Sequence, residues 1–180
     1  VKMTGKEVKS YLEHSYDAWV NTLDKSQEHI FKMRGFKNPR TGSQMWFFTA
    51  QATNLDSAGG IVYDVDVTKP FGERIVIRSF ADGSAFDENT EYVVAMSSYR
   101  ARGGGDLMEN VGIYPADVDE RIVAVHEDIR SLIDAYFTEN GAVTAEMVGD
   151  KSVIGEWKFI PEAKARKALD LDMKLVAPRW

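Results

Sequence analysis

The sequence predicts an α+β domain with helices packed on a mixed, largely antiparallel sheet. Two observations lead there: amphipathic helical patterns lie toward both ends of the chain, and closely spaced strand-like segments fill its middle. A third bounds the answer. At 180 residues, 44% hydrophobic and 11% aromatic, the chain has enough apolar surface for a full core and fits one domain spanning residues 1–180. No internal repeat or low-complexity tract interrupts it.

Val1-Lys2-Met3 alternates like the end of a strand that begins earlier, so a longer parent polypeptide is expected. Thr4-Gly5-Lys6-Glu7 is a capping box and starts a helix. Val8, Tyr11, Leu12, Ser15, Trp19 and Leu23 form its apolar stripe, Lys6, Lys9, Glu13 and Asp17 are placed facing water, and the helix is expected to end near Leu23. From Asp24 to Ser43 the chain reads as a polar, irregular excursion broken by Gly35, Pro39 and Gly42, with at most one helical turn at His29 to Met33.

Strands are expected at Trp46 to Ala52, Gly60 to Val67, Arg74 to Phe80 and Tyr92 to Ser98, the last three paired antiparallel across the turns at Pro70-Gly72 and Asp82-Gly83. Gly103-Gly104-Gly105 ends this block, and Asp106 is placed to cap a short helix from Leu107. Ile129, Leu132, Ile133, Tyr136 and Phe137 predict a further helix, stopped by Asn140-Gly141. A strand at Trp157 to Ile160, between Gly155 and Pro161, and a short helix from Glu162 to Leu169 complete the chain.

Several function classes are excluded by what is missing. The net charge is -6 with basic residues scattered, so no cationic stripe exists to track duplex nucleic acid. No apolar run of about 18 residues is present, which predicts no membrane partner. With no cysteine there are no disulfides or thiolate metal sites. His14, His29 and His126 lack a second histidine at ligand spacing, and Asp64 and Asp66 read as a solvent-facing pair on one strand face. Asp117, Asp119 and Glu120 lack the spacing and glycine of a calcium loop. Neither a nucleophile elbow nor a P-loop occurs.

The segment that points to binding is Ser97 to Asp106, S-S-Y-R-A-R-G-G-G-D. Tyr99 offers a stacking face, Arg100 and Arg102 offer guanidiniums suited to an anion, and Gly103, Gly104 and Gly105 allow close backbone approach. With Asp106 this is a small-ligand edge.

Three ordered blocks resemble the C-terminal domain of the 5'-nucleotidase and 2',3'-cyclic-nucleotide phosphodiesterase family: V-K-M-T-G-K-E-V-K-S-Y-L-E-H-S at Val1 to Ser15, G-G-I-V-Y-D-V-D at Gly59 to Asp66 with Pro70, Gly72, Arg74 and Ile75, and the Tyr92 to Gly105 stretch. The resemblance covers roughly Val1 to Ile133, and the tyrosine-arginine start of the glycine loop looks closer to the cyclic-phosphodiesterase branch. It implies a substrate-specificity domain that binds the base and sugar of a nucleotide or nucleoside. An N-terminal metallophosphoesterase domain of the same polypeptide, absent from this chain, would hold two divalent metal ions and carry out hydrolysis. The family's Asp-x-His and Gly-Asn-His-Glu metal motifs do not occur here, so the chain alone is expected to hold no cofactor and to be inactive. In the family two aromatic rings sandwich the base. Tyr99 matches one, and the other position falls near Leu55, leaving Phe47, Phe48 or Tyr63 as replacements. The aspartate that follows Gly-Gly in relatives is displaced from Gly105 to Asp106. A periplasmic or extracellular location is also what the resemblance implies.

Overall fold

A computed structural model describes residues 1–51, 54–149 and 156–177. β1 (Lys2–Thr4) enters α1 (Gly5–Trp19) through the predicted capping box, with the Glu7 amide donating to Thr4 Oγ1 at 3.2 Å and the Thr4 amide to Glu7 Oε2 at 2.7 Å. Tyr11, Leu12, Ser15, Tyr16 and Trp19 are buried along its stripe. The helix stops at Trp19 because the following residues pair with a returning segment: Val20 bridges Phe31, and the Asn21 amide donates to the Ile30 carbonyl. Leu23 is still buried, from outside the helix.

The stretch read as irregular contains β2 (Met33–Lys37), antiparallel to β3 (Gln44–Phe48). Its mostly polar and exposed residues gave no apolar alternation to read. β3 starts earlier than expected, and Ala52 lies outside the described residues. β4 (Ile61–Asp66) is the centre of a three-stranded sheet, antiparallel to β5 (Ile75–Phe80) and parallel to β7 (Trp157–Ile160). β6 (Glu91–Val93) does not continue that sheet. It pairs with β1, where Met3 faces Tyr92 in register. The expected three-stranded run is therefore split between two sheets, because the first residues of the chain supply a competing partner.

Short helices α2 (Ser98–Ala101), α3 (Leu107–Asn110) and α4 (Val118–Arg121) follow, then α5 (Ile129–Asn140), α6 (Ala145–Gly149) and α7 (Glu162–Val176). Asp106 occupies the N-cap of α3 in a left-handed conformation and makes no side-chain capping bond. α7 runs beyond Leu169 because its polar face is also held: buried Asp172 accepts from the Phe31 amide at 2.9 Å and pairs with His29 Nδ1 at 2.6 Å. Gly155 lies outside the described residues.

Two apolar clusters flank α1. One joins Leu12, Tyr16 and Trp19 to Tyr63, Val65 and Ile75 of the sheet and Ala165 and Ala168 of α7. The other gathers Met3, Tyr11, Ala101, Leu107, Met108 and Val118 beneath the glycine loop. Two carboxylates assigned to water are buried instead. Glu13 is 2% exposed and accepts from the Ile75 amide at 2.6 Å and the Gly72 amide at 2.9 Å. Asp64 pairs with Arg78, whose Nε donates at 2.8 Å, while Asp66 accepts from the Thr68 amide to close a turn. For Glu13 and Asp64 a donor distant in sequence compensates the burial of charge.

Candidate functional site

Between the two clusters lies an open pocket of about 1190 Å³. α1 supplies Tyr11 and Leu12, the 55–61 segment supplies Leu55 and Ile61, and the stretch after β5 supplies Phe86 and Tyr92. Tyr99 and Arg100 close one side. Phe80, Phe86 and Tyr92 form an aromatic group, with Phe86 and Tyr92 stacked at 5.1 Å between centroids.

The glycine loop is folded against its own tyrosine. Ser97 caps α2 by accepting from the Arg100 amide at 3.3 Å, and the turn returns so that the Gly104 amide donates to the Tyr99 carbonyl at 2.8 Å. A Cβ on Gly104 would lie 2.5 Å from the Tyr99 ring, so only glycine allows this contact. Gly105, at φ +77°, is held to glycine twice over, since a Cβ there would also collide with the Arg100 guanidinium. The backbone thus backs Tyr99, a residue 57% exposed at the pocket.

Arg100 acts on the protein itself. Its Nε and Nη2 each donate at 2.8 Å to the two carboxylate oxygens of Asp56, and Nη1 donates to the Gly104 carbonyl at 2.8 Å. Tyr11 Oη donates to Asp56 Oδ2 at 2.5 Å, and the Asp56 amide donates to Ser15 Oγ at 2.7 Å. The hydrogen bonds to Asp56 hold Arg100 more firmly protonated than usual despite burial. Burial, reinforced by the Asp56 carboxylate, pushes the Tyr11 phenol far above its ordinary range. Because Asp56 adjoins Leu55 and Arg100 adjoins Tyr99, this bidentate pair ties together two chain segments of the pocket wall.

Of the residues singled out in the sequence, Tyr99, Arg100 and Leu55 meet at the pocket. Arg102 is absent from its lining and pairs with Asp119 at the surface, at 2.8 Å. Gly103 to Asp106 shape the loop without lining the pocket. Tyr63 is buried and bonded to Tyr16 Oη at 2.9 Å, and Phe48 packs on Trp19 and Phe31. Phe47, Phe48 and Tyr63 do not line the pocket. The rings that line the pocket with Tyr99 are Tyr11, Phe80, Phe86 and Tyr92; the sequence pattern marks Tyr11, Phe80 and Tyr92 only as helix or strand residues and gives Phe86 no role. The partial signal was the density of aromatics between Phe80 and Tyr99. His14 lies against Phe71 at 4.7 Å between ring centroids, and His126 is exposed. Among the described residues no three His, Asp or Glu side chains converge in a way that holds a metal ion. No described helix is long and apolar enough to cross a membrane.

Comparison with known proteins agrees with the architecture. The family described as "5'-nucleotidase, C-terminal domain" matches residues 1–110. The trifunctional nucleotide phosphoesterase protein YfkN of Bacillus subtilis (strain 168) is 30% identical over 119 residues, covering 58% of this chain and 7% of that protein. The chain therefore spans a small part of that relative's length. No solved structure matches. The chain belongs to the 5'-nucleotidase C-terminal domain family.

Proposed function

We propose, with that family membership as the premise, that this chain is the substrate-specificity domain of a nucleotide phosphoesterase. It binds the base and sugar of a nucleotide, while an N-terminal metallophosphoesterase domain of the same polypeptide holds two divalent metal ions and hydrolyses the phosphate ester. A two-metal centre of that kind activates water and stabilises the attacking and leaving oxygens. In this reading residues 1–180 form one domain without hydrolytic activity of its own, and the parent protein works in the periplasm or outside the cell.

The observation that carries the reading is Tyr99 standing on Gly104 beside the pocket. An exposed aromatic face backed by bare backbone stacks a base at about 1–3 kcal/mol and tolerates any base. Asp56 and Arg100 are the charged groups among the described lining residues, and they neutralise each other. The site thus suits the uncharged part of a nucleotide, with the phosphate directed outward to the catalytic domain. A second reading is a binding module that keeps the fold but has lost nucleotide recognition. It is favoured by Leu55 at the second ring position and by the engagement of Arg100 with Asp56.

Calorimetric titration separates the two. Adenosine, uridine and their 5'-monophosphates are expected to bind with similar, weak affinity, inorganic phosphate is expected to give no heat, and Tyr99→Ala should weaken nucleoside binding about tenfold. Equal binding by Tyr99→Ala and the parent sequence removes Tyr99 from the site, and an absence of heat with every nucleoside favours the module without recognition.

A further inference from the structure

α5 is a well-formed helix whose apolar face is left exposed by the described residues. Asp128 caps it by accepting from the Arg130 amide at 2.9 Å and the Ser131 amide at 3.2 Å, and Gly141 ends it. Yet Ile129, Leu132, Ile133, Tyr136 and Phe137 are 38% to 61% exposed, and no residue of the helix is buried. A stripe of that width normally faces a core.

The attachment of this excursion says what covers it. On one side it leaves from Ile122, which packs against the cluster containing Met3 and Tyr11, both of them pocket-lining residues. Residues 123–128 are exposed and non-helical, and six extended residues reach about 20 Å. On the other side Glu156, the next described residue after α6, accepts at Oε2 from the amide of Gly60 at 2.7 Å, and Gly60 also lines the pocket. α5 thus lies in the chain between two described points, Ile122, packed on a cluster that shares Met3 and Tyr11 with the wall of this open, mostly apolar cavity, and Glu156, bonded to Gly60 of that wall.

We propose that α5 is a lid for this pocket, laying its apolar stripe over the opening when a ligand is bound. Closure gives Tyr136 and Phe137 a place against the ligand and excludes water from the site. The identity of the ligand as a nucleoside rests on the function proposed above, and the closure of α5 stands apart from it.

The chain has no cysteine, so introduced thiols are unique reporters. Val93 lines the pocket at 68% exposure, and Ile133 sits mid-stripe. The test is the double variant Val93→Cys with Ile133→Cys, oxidised mildly at low protein concentration with and without adenosine and followed by non-reducing electrophoresis. A disulfide within the monomer, formed about tenfold faster with adenosine, is the expected result, since a ligand converts a minor closed state into the main one. A monomer disulfide whose rate ignores adenosine upholds the lid and removes the nucleoside as its ligand. Two outcomes overturn the lid: a disulfide formed only between two copies, which makes the stripe a dimer contact, or no disulfide while both thiols react freely with maleimide.

Discussion

α1 and α5 carry the same kind of sequence pattern and meet opposite fates. In α1 the stripe from Tyr11 to Trp19 is buried, and even Glu13, off the apolar face, is sealed in by the Gly72 and Ile75 amides. In α5 an equally regular stripe from Ile129 to Phe137 stays exposed. Periodicity decides which side of a helix is apolar. It does not say whether a partner is present, because that depends on elements far away in the chain.

The contrast can be broken from its strongest end. Leu12→Ala should cost about 3 kcal/mol in chemical denaturation, the usual loss for a packed leucine. Glu13→Ala leaves the buried Ile75 amide, and with it the Gly72 amide, without its acceptor and should cost about 2 kcal/mol, and a change near zero would return Glu13 to the solvent-facing role its helix position suggests. A smaller effect belongs to Glu7. Partial burial pushes its carboxyl up, but the hydrogen bond from Arg121 and the Thr4 amide outweigh this and hold it below its ordinary 4.5. Its contribution to stability is therefore complete above the unfolded value and is lost as pH falls through the lower folded value. Glu7→Gln should flatten the acid side of the melting-temperature curve and leave its slope above about pH 6 unchanged. Smallest of all, Leu132→Ala should stay within about 0.5 kcal/mol of the parent, and a loss matching that of Leu12→Ala would mean that α5 is packed in solution.

Local chemistry carried the parts of the fold that could be read in advance. The Thr4-Glu7 capping box, the Asn140-Gly141 stop and the alternation from Ile61 to Val65 are all signals contained within a few residues. What escaped depended on partners distant in sequence. β6 pairs with β1, β2 is a polar strand held by β3, and α7 extends past Leu169 where Asp172 meets His29 and Phe31. The site divides the same way. Tyr99 and the glycines announced a loop of special backbone geometry, whereas the Asp56-Arg100-Tyr11 cluster and the rings of Phe80, Phe86 and Tyr92 become a site only once α1, the 54–61 segment and β6 are brought together. Arg100 looked like an anion clamp because a guanidinium in a glycine loop is one, and a carboxylate 44 positions away took its donors.

The central claim is that a base stacks on the open face of Tyr99. The most direct measurement is a tyrosine-selective NMR titration with adenosine, with the Tyr99 signals assigned by their loss in Tyr99→Ala. The account predicts that the Tyr99 ring protons move upfield and saturate together with the calorimetric heat, while those of the buried Tyr16 and Tyr63 stay in place. Saturating heat with unmoved Tyr99 signals would contradict it.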